Sequence, residues 1–293
     1  MNRLPLLLLL TALCLPAWAA TPIAETRALD SRGTVEIENL KGRIEVRSWD
    51  RPEVRLSGSL GNGVERLVVE GSGQRLSVKV KYPRNGRNTE PTTLILDVPT
   101  LASLDIESVS ADVSVTGNAG RTLDIESVSG EVQAAGAPGK ARFETVSGNQ
   151  QLTLNSNDVS AESVSGRIRL MGRLGGEIQA ENVSGDIDID TRGERPTQVK
   201  TSSVSGDTSV RTGLANGGSI DVESLSGKVR LELPADLSAR VRGESFSGRL
   251  SAPGASINKA KYGPGSDFDH RYGNGSGQVR IETFSGNAEL VLR

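Results

Sequence analysis

The sequence predicts an all-β chain, a single-stranded parallel β-helix-like solenoid with rungs of 18–21 residues preceded by an N-terminal β region. Three observations predict it. First, Glu126-Ser127-Val128-Ser129-Gly130 recurs as Glu144 to Gly148, Glu162 to Gly166, Glu181 to Gly185, Ser202 to Gly206, Glu223 to Gly227 and Glu244 to Gly248, with outlying copies at Glu107 to Ala111 and Glu282 to Gly286. The closing Gly or Ala steps along the chain by 19, 18, 18, 19, 21, 21, 21 and 38 residues. A fixed period marks a stacked array, and this one is too short for a helix pair, which needs ~33 residues or more. Second, apolar and polar residues alternate within a unit, as in Leu123-Asp124-Ile125-Glu126 and Glu131-Val132-Gln133-Ala134. That is strand periodicity, and its parity flips between the two stretches. The chain must bend there, and Ser-Gly supplies the bend. Third, aromatics are 3% of residues against 34 glycines, which allows only a narrow core of Val, Ile, Leu and Ala.

Residues 1–19 read as a Sec-type signal peptide: Arg3, an apolar stretch from Leu4 to Pro16, then Ala17-Trp18-Ala19 as a small-x-small cleavage site. A lipoprotein signal at Cys14 is disfavoured by the bulky Leu13 before it. Cys14 is the single cysteine and leaves with the leader, so disulfides and thiol chemistry are excluded from the mature chain. The expected location is the periplasm or the cell surface.

Residues 20–100 are expected to form the N-terminal β region that caps the stack, and residues 101–293 the solenoid. A polar lead-in is followed by a unit-like phrase, Glu38-Asn39-Leu40-Lys41-Gly42-Arg43-Ile44. Alternating strands follow at 54–60, 66–70, 76–82 and 93–98, punctuated by Gly61-Asn62-Gly63 and Gly71-Ser72-Gly73 as hairpin turns, with Pro83 to Pro91 a polar loop. Regular units run from about residue 101 to 252, residues 253–277 interrupt them, and 278–293 close with a final strand pair. Stacking predicts that Val109, Val128, Val146, Val164, Val183, Val204, Leu225, Phe246 and Phe284 form one continuous apolar column in the interior, flanked by serine ladders.

Glu38-Asn39-Leu40-Lys41-Gly42-Arg43-Ile44-Glu45-Val46, Trp49-Asp50, Leu96-Asp97-Val98-Pro99, the serial Val-Ser-Gly rungs and Thr283-Phe284-Ser285-Gly286 together carry a resemblance. Over nearly all of its mature length the chain resembles the bacterial β-strand-repeat "putative adhesin" family, a domain family of unknown function. The resemblance implies a β-helix-like fold, export to the envelope and no established activity, and it brings no catalytic residues with it.

Chemistry-bearing residues are few. Glu107, Glu126, Glu144, Glu162, Glu181, Glu223, Glu244 and Glu282 would stack as a column; like charges repel, so it needs cations, a basic partner or neighbouring Lys and Arg. A solvated face neutralised by residues such as Arg142 and Lys200 is the favoured reading. Asp186, Asp188 and Asp190 share one strand face but lack the wrapping loop of a calcium site. The candidate binding loop is 253–277, with Tyr262, Asp267, Phe268, Asp269, His270 and Tyr272; an end cap is the plainer reading of the same segment. No metal, cofactor or catalytic residue is assigned, and no Gly-x-Ser-x-Gly elbow with a His and Asp in triad order is present.

Removing Arg3 leaves 33 Lys+Arg against 36 Asp+Glu, a net of −3, which makes no electrostatic case for nucleic acid. No later segment is apolar enough to span a membrane as a helix. The expected function is that of a non-enzymatic, exported, adhesin-like protein, monomeric or weakly self-associating, binding an envelope protein or polysaccharide. The alternative is a polysaccharide lyase or hydrolase, resting on fold analogy alone.

Overall fold

A computed structural model describes residues 21–84, 88–261 and 264–293. The leader at 1–19 lies outside the described residues. The chain is all-β: 21 strands hydrogen-bonded into one continuous sheet that wraps as a β-solenoid.

Each rung has two walls. The first precedes the Ser-Gly bend, as in Thr122–Ser129 and Lys140–Ser147; the second follows it, as in Val132–Gly136. Equivalent strands pair in parallel with the same phrase in register, Glu126 on Glu144 and Glu144 on Glu162. Alternation then fills the core: Leu123 and Ile125 from the first wall and Val132 and Ala134 from the second are all buried. Phe143, the largest fully buried side chain, is stacked on Ala161, so a wide residue is accommodated by a small one on the next rung.

The bend is fixed by two columns. At the inner corner sit small polar groups, Ser108, Ser127, Thr145, Ser163, Asn182, Ser203, Ser224 and Thr283, all buried. Ser108 Oγ accepts from the Ala111 amide at 2.9 Å, tying the turn to itself, and Thr145 Oγ1 donates to Ser163 Oγ at 3.1 Å across rungs. The closing glycines form the other column. A Cβ on Gly206 would stand 2.0 Å from the Gly185 carbonyl oxygen, with φ at +134°. Close backbone approach and backbone angle therefore both require glycine there. Beside it, carboxylate and amide side chains accept from the amide one rung on: Asp112 from Glu131 (3.0 Å), Asn149 from Arg167 (3.0 Å), Asp186 from Asp207 (3.1 Å).

Rungs do not stack in chain order at the ends. The last rung, Gly277–Ser285 and Ala288–Leu292, lies between the rung of Ser219–Ser226 and that of Ala239–Ser245. Leu225, Phe284 and Phe246 follow one another in that order, and the two phenyl rings stack at 4.8 Å and 7°. The first rung is inserted likewise: residues 34–47 of Thr21–Trp49 pair with Ser103–Asn118 on one side and with Arg66–Lys81 and Thr92–Pro99 on the other. Both outer rungs are covered by antiparallel strands. Glu53–Leu60 runs along Thr92–Pro99 and against Thr21 to Ala28, and Ser266–Tyr272 runs along Ala239–Ser245. An exposed parallel edge is a template for further pairing, and an antiparallel cover removes it.

One expectation is overturned. The Val column is outside: Val109 is 43% exposed, Val164 49% and Phe284 53%. Inward alternation continues one step past Ile125, to Ser127, and the parity reverses only at Ser129-Gly130-Glu131. Val128 therefore points to solvent.

Candidate binding surface

Glu126 and Val128 are two residues apart on one strand face, both outward, with Ser127 turned inward between them. Repeated up the stack, this makes a carboxylate column beside an isopropyl column, separated by a crease. The crease runs from Glu38 and Leu40 on the first rung to Ser202 and Val204, and encloses about 770 Å³. Sequence reasoning had both columns and erred only on the side of the sheet the valines occupy.

The carboxylates are unevenly compensated. Lys79 pairs with Glu38, Arg142 with Glu144, and Lys200 with Glu181 at 3.6 Å. Among the described residues, Glu107, Glu126 and Glu162 have no ion-pair partner; Ser160 Oγ donates weakly to Glu162 at 3.4 Å. A second acidic column flanks the first, with Glu36, Asp105 and Asp124 in register. Partial burial and the charges of Glu36 and Glu38 push the Asp105 carboxyl above its ordinary value. Burial and Glu38, Asp105 and Glu126 do the same to Glu107, and burial and Asp105 to Asp124. This end of the surface holds more negative charge than its own cations neutralise.

The other acidic run is neutralised. Arg167 reaches Asp186 at 2.8 Å, Arg169 reaches Asp188 at 3.2 Å and Arg211 reaches Asp190 at 3.7 Å. Among the described residues no group of three His, Cys, Asp or Glu side chains is placed to hold a metal ion.

Within the candidate loop, Asp267 to Tyr272 lie on the strand Ser266–Tyr272, which covers the end of the stack. Phe268 is buried over Gly243, where an added Cβ would meet its ring at 2.1 Å. Asp269 accepts from Arg240 at 2.8 Å and from Arg242 at 3.2 Å, and these hydrogen bonds hold its carboxyl down at about 2. Asp267 accepts from Asn258 at 3.1 Å, Tyr272 donates to the Pro253 carbonyl at 2.6 Å, and His270 meets the Tyr272 ring edge-on at 4.6 Å. Tyr262 lies outside the described residues.

Residues 67–218, more than half of the chain, match the Toastrack DUF4097 family. The chain belongs to that family. Toastrack DUF4097 is a domain family of unknown function, and its β-solenoid character agrees with the rungs described above. The Toastrack chain is similar to a solved structure described as a "putative lipid binding protein" from Parabacteroides distasonis, at 13% identity and a TM-score of 0.54, covering 92% of this chain and 96% of that one. It is also similar to a "putative adhesin" from the same organism, at 13% identity and a TM-score of 0.51, covering 93% and 98%. At such identity the likeness is one of fold. No curated protein sequence matches the chain.

Proposed function

We propose that this Toastrack protein is a non-enzymatic, exported, adhesin-like protein of the cell envelope that uses the repeated Glu–Val face to hold a protein or polysaccharide partner. The observation that carries the reading is the exposed apolar column from Leu40 through Val204 to Phe284 and Phe246. Isolated exposed apolar residues are ordinary, but a continuous stripe of them costs solubility and marks an interaction surface. Family membership and the adhesin name of a structural neighbour support the same reading. No helix among the described residues is long and apolar enough to cross a membrane.

The test is a binding measurement on the exported chain against purified envelope polysaccharides and envelope proteins, with product analysis of every glycan. Binding without shortened products, lost in a Val146→Asp/Val164→Asp variant that still folds, is the expected result. Glycan cleavage would overturn it. The mass of the exported protein checks the leader: removal of residues 1–19 is expected, and retention would refute export by this route.

A further inference from the structure

Resting on that reading, the geometry points to the chemistry of the partner: we propose that the crease between the Glu and Val columns receives a basic, amphipathic α-helix of another protein, laid along the stack. Three observations select it. The first is the pairing of surfaces. A carboxylate column in which Glu107, Glu126 and Glu162 have no ion-pair partner among the described residues lies two residues along the strand from an isopropyl column, so the complement is an apolar stripe edged by cations.

The second is periodicity. Consecutive valines stand one rung apart, ~4.8 Å. A helix repeats its apolar face every ~5.4 Å, whereas a strand repeats one face every ~6.7 Å. The helix drifts by ~0.6 Å per rung and the strand by ~1.9 Å, so the helix stays within half a repeat over about four rung steps and the strand over about one. The third is length. Leu40 to Val204 spans six rung steps, or ~29 Å, which a helix of ~19 residues covers.

Other occupants fit less well. A second copy brings the same carboxylates, and the cations beside this column, Lys79, Arg142 and Lys200, are already paired with Glu38, Glu144 and Glu181. A neutral glycan meets isopropyl groups from Val109 to Val204, and the aromatic ring that lines the crease, Tyr82, is half-buried at its first rung with its hydroxyl bonded to Asn39.

The experiment uses three synthetic 20-residue peptides as probes, titrated into the full chain by fluorescence anisotropy. One carries Leu at i, i+3, i+4, i+7 and Lys on the flanks. The second replaces Lys with Glu. The third has the composition of the first rearranged to strict alternation, so that it forms no apolar helical stripe. The Leu–Lys helix is expected to bind at least tenfold tighter than either control. Val128→Thr/Val146→Thr/Val164→Thr should weaken it roughly ten- to fiftyfold, as methyls are lost from the contact. Glu107→Gln/Glu126→Gln/Glu162→Gln should weaken it and flatten its salt dependence. These are surface positions, so unchanged circular dichroism is expected of both variants. Equal binding of the alternating peptide, or binding indifferent to the Val changes, would overturn the proposal. Capture of a polysaccharide or of a second copy on this face, with no preference for the Leu–Lys helix, would overturn the partner class while leaving the binding face standing. Loss of every partner would remove both.

Discussion

Replacing Gly206 with Ala should be among the most damaging single-methyl changes the solenoid can suffer. The new Cβ would stand 2.0 Å from the Gly185 carbonyl oxygen and 2.5 Å from its carbon, where backbone cannot yield without opening the rung spacing. The position also holds φ at +134°. Holding a non-glycine residue in such a region costs about 1–3 kcal/mol, and overpacking against a fixed neighbour about 1–3 more, so a loss of about 2–6 kcal/mol is expected. Gly217→Ala is the control. Its φ is +76° but nothing lies within 4 Å of the added methyl, so it carries the left-handed penalty alone, about 1–2 kcal/mol. Guanidinium denaturation followed by far-ultraviolet circular dichroism measures both, compared at matched slope. If Gly206→Ala is no worse than Gly217→Ala, the close rung-to-rung approach does not explain the glycine column.

The inserted C-terminal rung predicts a cross-link pattern: Leu225→Cys/Phe284→Cys should oxidise to a disulfide, since stacked neighbours lie within bridging distance, while Leu225→Cys/Phe246→Cys, two rungs apart, should not. A gel-mobility assay reads both, and the reverse outcome would restore chain-order stacking. Asp105→Asn/Asp124→Asn should stabilise the protein at neutral pH. Burial and like charge raise both carboxyls in the folded state, so each favours folding when protonated and opposes it increasingly as pH rises above the ordinary carboxylate value of 3.8 towards the raised one. Denaturation midpoints against pH should therefore fall less steeply across that window in the double variant; an unchanged profile would contradict the crowding of charge.

Much of this architecture was legible in the sequence because a solenoid writes its period into the chain. The Glu-Ser-Val-Ser-Gly phrase fixes rung length, and the alternation of Leu123 with Ile125 fixes the buried face. The side occupied by Val128 was misread for a physical reason. Its hydrophobicity argues for burial, while strict alternation from Ile125 through Ser127 argues for exposure, and alternation prevails because the backbone does not turn until Ser129-Gly130. A buried Ser127 beside an exposed Val128 inverts the usual preference. That inversion, recurring from rung to rung, was the available signal that the valine answers to something other than the core. The order of the end rungs left no comparable trace. Phe284 on Leu225 and Phe246 on Leu225 are equally plausible pairs by composition, and only the 38-residue step from Gly248 to Gly286 hinted that the chain leaves the stack and returns. Asp267, Asp269 and His270 were visible as a cluster, but the pairing of Asp269 with Arg240 and Arg242 depends on Ser266–Tyr272 running antiparallel to Ala239–Ser245, which no local pattern specifies.

The claim on which the rest depends is that the repeated valine serves something outside the molecule and not the fold. Val146→Thr/Val164→Thr tests it by chemical denaturation, since Thr keeps the branched shape and the strand preference and adds only a hydroxyl. Both sites are nearly half exposed, so a change within about 0.5 kcal/mol per site is expected. A loss of about 1–3 kcal/mol at each, as burying a hydroxyl without a partner would produce, would put the column back in the core and contradict the account.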